Sequence, residues 1–82
     1  MKLVKIYSQG CKPCMMLTNY LISLGVAFEE VEINDEIIEK YDITGVPVLI
    51  LLDDNDNVVD KVIGFNPSDT EKIEKLLSKF NS

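Results

Sequence analysis

An 82-residue chain supports one modest core and no second one. Its 46% hydrophobic and 27% charged residues are globular values that exclude disordered, collagen-like and coiled-coil readings. The formal net charge of −6 excludes the clustered lysine and arginine by which proteins hold nucleic acid or anionic membranes, so a protein or small-molecule partner is expected.

The first apolar run, Leu3 to Tyr7, is short and interrupted by Lys5, which fits neither a signal peptide nor a membrane span. A soluble cytoplasmic protein is therefore expected. The run is rich in β-formers and predicts a strand over about 2–8, covered on both faces. Ser8-Gln9-Gly10 predicts a turn, and a helix is expected from Lys12 or Pro13, since a first helical turn tolerates proline. Cys14, Leu17, Leu21 and Leu24 give it a buried stripe, widened by Met16 and Tyr20, with Gly25 as the C-terminal cap.

Val26 to Ile33 reads as a second strand, and its Glu29, Glu30 and Glu32 suit a sheet edge. Asn34 and Asp35 are candidate caps for a short helix over Glu36 to Tyr41, with Ile37, Ile38 and Tyr41 facing inward. Strand, helix and strand at this spacing imply a parallel, right-handed unit. Val48 to Leu52 is unbroken apolar sequence and predicts a central strand whose start is marked by Pro47. The polar stretch Asp53 to Asn57 predicts a hairpin turn into a partner strand over Val58 to Ile63. It mimics the opening of a calcium loop, but Val58 and Gly64 stand where such a loop needs glycine and glutamate. Ser68-Asp69-Thr70-Glu71 reads as a capping box before a last helix carrying Ile73, Leu76, Leu77 and Phe80 on one face.

Chemistry concentrates in Cys11-Lys12-Pro13-Cys14, which holds the only two cysteines. One helical turn separates them, close enough for a reversible disulfide. Cys11, at the helix start, is the candidate attacking thiol because unpaired N–H groups and the helix dipole favour negative charge there. Cys14 is one turn inward and more buried, the candidate resolving thiol. Lys12 adds a nearby positive charge. With no histidine, a single Cys-x-x-Cys supplies half of a zinc site, so no metal is expected within one chain.

Two motifs more than thirty residues apart, Cys11-Lys12-Pro13-Cys14 and Thr44-Gly45-Val46-Pro47, agree with this element order, and together the chain resembles a minimal thioredoxin or glutaredoxin. The resemblance implies an α/β fold of order β-α-β-α-β-β-α, a four-stranded mixed sheet with helices on both faces. It implies protein-disulfide reduction by a single monomeric domain spanning 1–82, with no cofactor. Pro47 would be a cis-proline facing the thiols, and Val46 would offer its backbone to a client strand. Beside the resemblance, Met15, Tyr7, Gly45, Val46 and Phe65 are expected around the rim of the site, and Lys12 and Pro13 are further candidate client contacts. The resemblance also implies a thioredoxin reductase-like donor and oxidised client proteins such as ribonucleotide reductase. Glutathione finds little support, because the glutathione-docking signature is only half present in Gly64-Phe65 and Asp69. A glutathione-linked glutaredoxin, a non-catalytic adaptor and a dimeric metal or iron–sulfur binder are the alternatives on the same fold.

Two positions depart from the thioredoxin pattern: Gly10 stands where tryptophan is usual, and Lys5 stands where a buried aspartate is usual. Lys5 has two expected fates. Either its stem reaches out to carry the ammonium to water, or it lies beneath the cysteines and tunes Cys14.

Overall fold

A computed structural model describes residues 1–81. Its elements are β1 (Lys2–Tyr7), α1 (Lys12–Ser23), β2 (Glu29–Glu32), α2 (Asp35–Tyr41), β3 (Val48–Leu52), β4 (Val58–Ile63) and α3 (Glu71–Phe80). The strands lie side by side in the order β2-β1-β3-β4. β1 runs parallel to β2, with Val4 opposite Glu29 and Tyr7 opposite Glu32, while β3 is antiparallel to both β1 and β4. The glutamate-rich strand is thus an edge, and the apolar strands β1 and β3 are central.

Alternation along the central strands divides the core in two. Leu3, Leu49, Leu51 and Val62 face α1 and α3, meeting Leu17, Leu21, Ile73, Leu76 and Leu77. Val4, Ile6, Val48, Ile50 and Leu52 face the other way, against Ile43 and the α2 residues Ile37 and Tyr41. Helices therefore cover both faces, and all five residues of β3 are buried. The same alternation aims Lys5, two residues after Leu3, at the underside of α1.

Several boundaries and facings differ from the sequence expectation. β2 begins at Glu29, because Val26 and Phe28 leave the strand path to pack against the α1–α3 cluster. The α1 stripe is Cys14, Leu17 and Leu21; Leu24 is the C-cap and is 49% exposed where the chain turns away at Gly25 (φ 71°). Met16 is exposed, two residues from Cys14 and so on nearly the opposite side of the helix. Ile38 is exposed as well, since a seven-residue helix shows the sheet only one narrow face. The Ser68–Glu71 capping box does not form. Asn66 Oδ1 takes the Ser68 N–H at 3.0 Å in a local turn, the helix starts later with Thr70 as N-cap, and the Thr70 hydroxyl donates to Glu74 Oε2 at 2.8 Å.

The α2 caps do form. Asn34 Oδ1 accepts from Ile37 N at 2.8 Å. At the other end the Lys61 ammonium, reaching over from β4, donates to the carbonyls of Tyr41 and Asp42 at 3.0 and 3.1 Å, placing a cation where the helix dipole is negative. A helix this short has little stability of its own. Asn34→Ala is expected to lower stability by about 1 kcal/mol, read as a shift in urea midpoint.

Asp53 organises the hairpin turn, its Oδ1 accepting from Asn57 N at 2.9 Å and Asn55 N at 2.8 Å. The Asn57 backbone bond, foremost, holds this exposed carboxyl below the usual aspartate range. A depressed folded-state value means the contribution is present above the unfolded pKa of about 3.9 and is lost as pH falls through the folded value. Asp53→Ala is accordingly expected to be less stable than the parent at neutral pH, and the gap between them to narrow below about pH 4. Urea midpoints across that range provide the check.

Candidate functional site

Ile6 and Val48 are register partners, so the loop leaving β1 and the loop entering β3 emerge at the same end of the sheet. The first loop carries the sulfurs, the second Gly45, Val46 and Pro47. Cys11 is the N-cap of α1, in extended conformation (φ −85°, ψ 106°), and its Sγ accepts the Cys14 N–H at 3.1 Å. Oxygen of serine, threonine or aspartate usually fills this role; here a sulfur does, aligned with the positive end of a twelve-residue helix. No acidic residue lies in that helix's first turn to compete for the same field. Pro13 sits in the first turn, where its missing N–H leaves no bond unmade.

The two cysteines are joined in a disulfide with Cα atoms 5.3 Å apart, within the span a normal bridge requires. They are unequal in access. Cys14 is 2% exposed, whereas Cys11 is only half-buried. Both line a shallow cavity of about 390 Å³ with Tyr7, Gly10, Met15, Thr18, Lys5 and Glu30. Met15, 63% exposed, stands at its rim. Lys12 and Pro13 are exposed beside it.

Pro47, fully buried, follows a cis Val46–Pro47 peptide, and its carbonyl accepts the Gly64 N–H at 2.7 Å, which ties this loop to the end of β4. Val46 packs against the α2-side cluster. Phe65 does not line the sulfur cavity: its ring lies 5.6 Å from that of Tyr20, packed on the α1–α3 cluster.

Lys5 does not carry its charge to water. It is 2% exposed, donates to Thr18 Oγ1 and to Glu30 Oε1 at 3.1 Å, and lies over the rings of Tyr7 and Phe28 at 5.3 and 6.0 Å. Thr18 and Glu30 are site residues that sequence reasoning passed over. Their signal was available: Thr18 follows Cys14 by four on α1, hence on the same face, and Glu30 is the β2 register partner of Lys5. Among the described residues, no group of three or more histidine, cysteine, aspartate or glutamate side chains could hold a metal ion. No described helix is long and apolar enough to cross a membrane.

A cysteine pair at a β1–α1 turn, at the same end of a four-stranded mixed sheet as the loop entering β3, defines a thioredoxin-fold thiol–disulfide oxidoreductase. Residues 3–56 match the glutaredoxin family model. The chain is 35% identical over 79 residues to the SPbeta prophage-derived thioredoxin-like protein YosR of Bacillus subtilis, covering 94% of this chain and 99% of that one. It is 31% identical over 86 residues to the thioredoxin of Staphylococcus aureus, covering 95% and 80%. Among solved structures, a mutant thioredoxin from Halobacterium salinarum superposes with TM-score 0.71 at 26% identity, over 98% of this chain and 74% of that one. Thioredoxin f2, solved in complex with ferredoxin:thioredoxin reductase, shares the fold with TM-score 0.75 at 20% identity, over 98% and 76%. The chain belongs to the thioredoxin/glutaredoxin family.

Proposed function

We propose that this protein is a thioredoxin-like electron carrier that reduces disulfides in client proteins, with Cys11 as attacking and Cys14 as resolving thiol. The carrying observation is the asymmetry of the pair: an accessible sulfur capped by an N–H at a helix start, and a buried sulfur one turn behind it. In the reduced protein the Cys11 thiolate attacks one sulfur of the client disulfide. A Cys11–client disulfide forms, and the other client sulfur departs as a thiolate that takes up a proton. Cys14, having given up its proton to solvent, then attacks Cys11 Sγ. The Cys11–Cys14 bond forms, the Cys11–client bond breaks, and the second client sulfur leaves and is protonated. Two electrons pass to the client, and the oxidised pair must be reduced by a donor.

The Gly45–Pro47 loop, opening the central strand at the sulfur end of the sheet, suits an extended client segment laid alongside it by backbone hydrogen bonds. The donor in this reading is a thioredoxin reductase-like enzyme, and the complex of thioredoxin f2 with ferredoxin:thioredoxin reductase supports that choice by analogy. The clients are oxidised proteins, ribonucleotide reductase among them, met in the cytoplasm by a monomer that does not depend on glutathione. The test is reduction of insulin disulfides with NADPH and either thioredoxin reductase or glutathione with its reductase. Turnover with the first pair alone supports the reading; turnover only with glutathione replaces it with the glutaredoxin one, and none with either overturns it.

A further inference from the structure

Beneath the sulfurs lies an ion pair whose two ends see different surroundings. The Lys5 side chain is 3% exposed, while the Glu30 carboxylate 3.1 Å from it is 42% exposed. Water screens the carboxylate's charge, whereas the ammonium is enclosed by Thr18, Tyr7 and Phe28. Of the two charges, the ammonium is thus the one shut away from water, while the carboxylate's side chain is open to it. Cys14 lines the sulfur cavity, and its carbonyl is linked to the same cluster: the Thr18 hydroxyl lies 3.1 Å from Cys14 O and 3.3 Å from Glu30 Oε1, and its single proton serves one or the other.

We propose, building on the disulfide-reductase reading, that Lys5, held in place by Glu30 and Thr18, is a positioning residue that stabilises the thiolate of Cys14 and so speeds the resolving step. As an ion-paired ammonium Lys5 has no lone pair and removes no proton. It lowers the free energy of the anion that remains once the Cys14 proton has gone to solvent. The attack itself is unchanged: the Cys14 anion displaces the client sulfur from Cys11, one S–S bond forming as the other breaks. The ionisable groups that face Cys14 across the cavity are Lys5 and Tyr7 of β1, Cys11 at the start of α1, and Glu30 of β2.

The experiment measures Cys14 alkylation by iodoacetamide against pH in a Cys11→Ser background, with and without Lys5→Met. In otherwise intact proteins, release of a Cys11-linked peptide disulfide is timed at neutral pH. Lys5→Met is expected to move the alkylation profile to higher pH and to slow release about tenfold or more, the effect of losing an opposite charge from the wall of the cavity that Cys14 lines. A folded Lys5→Met protein with an unmoved profile and an unchanged release rate overturns the proposal, since a purely structural lysine would affect unfolding alone. Should Lys5→Met not fold, Glu30→Gln serves, its side chain being half in water. Removing the counter-charge is expected to move the Cys14 profile to lower pH, and no movement, or movement the other way, overturns the proposal. Insulin reduction by the parent protein separates the two levels. An active parent with unmoved variant profiles sinks only the role of Lys5, whereas an inactive parent sinks the disulfide-reductase reading whatever the profiles show.

Discussion

Cys11→Ser is expected to bring disulfide reduction down to the uncatalysed background, while Cys14→Ser keeps the first half of the reaction and stalls. Serine at 11 preserves the N-cap, because its hydroxyl accepts the same N–H that the sulfur accepts at 3.1 Å, so the fold is expected to persist. What it removes is the proposed nucleophile, for a hydroxyl at this site is not ionised near neutral pH. Cys14→Ser leaves an attacking thiolate with nothing to displace its captured client, and a covalent adduct accumulates. Mass spectrometry before and after dithiothreitol reads this directly: an adduct on Cys14→Ser, absent from Cys11→Ser and released by reductant. The opposite distribution would exchange the two roles.

Leu49→Ala is expected to be the most damaging of the simple core truncations. Leu49 lies on the central strand β3, paired with both β1 and β4, is 1% exposed, and packs in the cluster that joins the sheet to α1 and α3. Truncating a leucine so enclosed costs about 2–5 kcal/mol, against a total of roughly 5–15 kcal/mol for a small domain. Urea unfolding at neutral pH is expected to show a large fall in midpoint with little change in slope. Leu24→Ala provides the contrast. Although Leu24 also falls on the helical period, it is half in water at the end of α1, and its loss is expected to cost less than about 1 kcal/mol.

That contrast shows how far the sequence could be read. The unbroken apolar run of β3, and that of β1 broken only by Lys5, identify these strands as central because strands covered on both faces are apolar at nearly every position, and the glutamates of β2 mark an edge for the converse reason. Periodicity marks which residues can face inward, but not where the neighbouring layer ends, which is why Leu24 and Met16 were expected in the core and are not. The capping box failed because Asn66 competes locally for the Ser68 N–H, a choice between two short-range bonds that the pattern alone leaves open. At the site, the cysteines are legible from spacing. The environment of Lys5 is not, because it requires the β1–β2 register and the α1 face together, neither of which a single stretch of sequence contains.

The hydrogen bond from Gly64 to the Pro47 carbonyl fastens the loop entering β3 to β4, on a different part of the framework from the helix that bears the sulfurs. Opening the disulfide breaks a bond at the start of α1 and none of those that hold the Pro47 loop to the end of β4. In the disulfide-reductase reading, a client strand is therefore expected to meet the same backbone in either redox state, and the choice between oxidised and reduced partners to fall to sulfur chemistry rather than to shape. Equal peptide affinity for the oxidised protein and for a Cys11→Ser/Cys14→Ser form is the corresponding measurement.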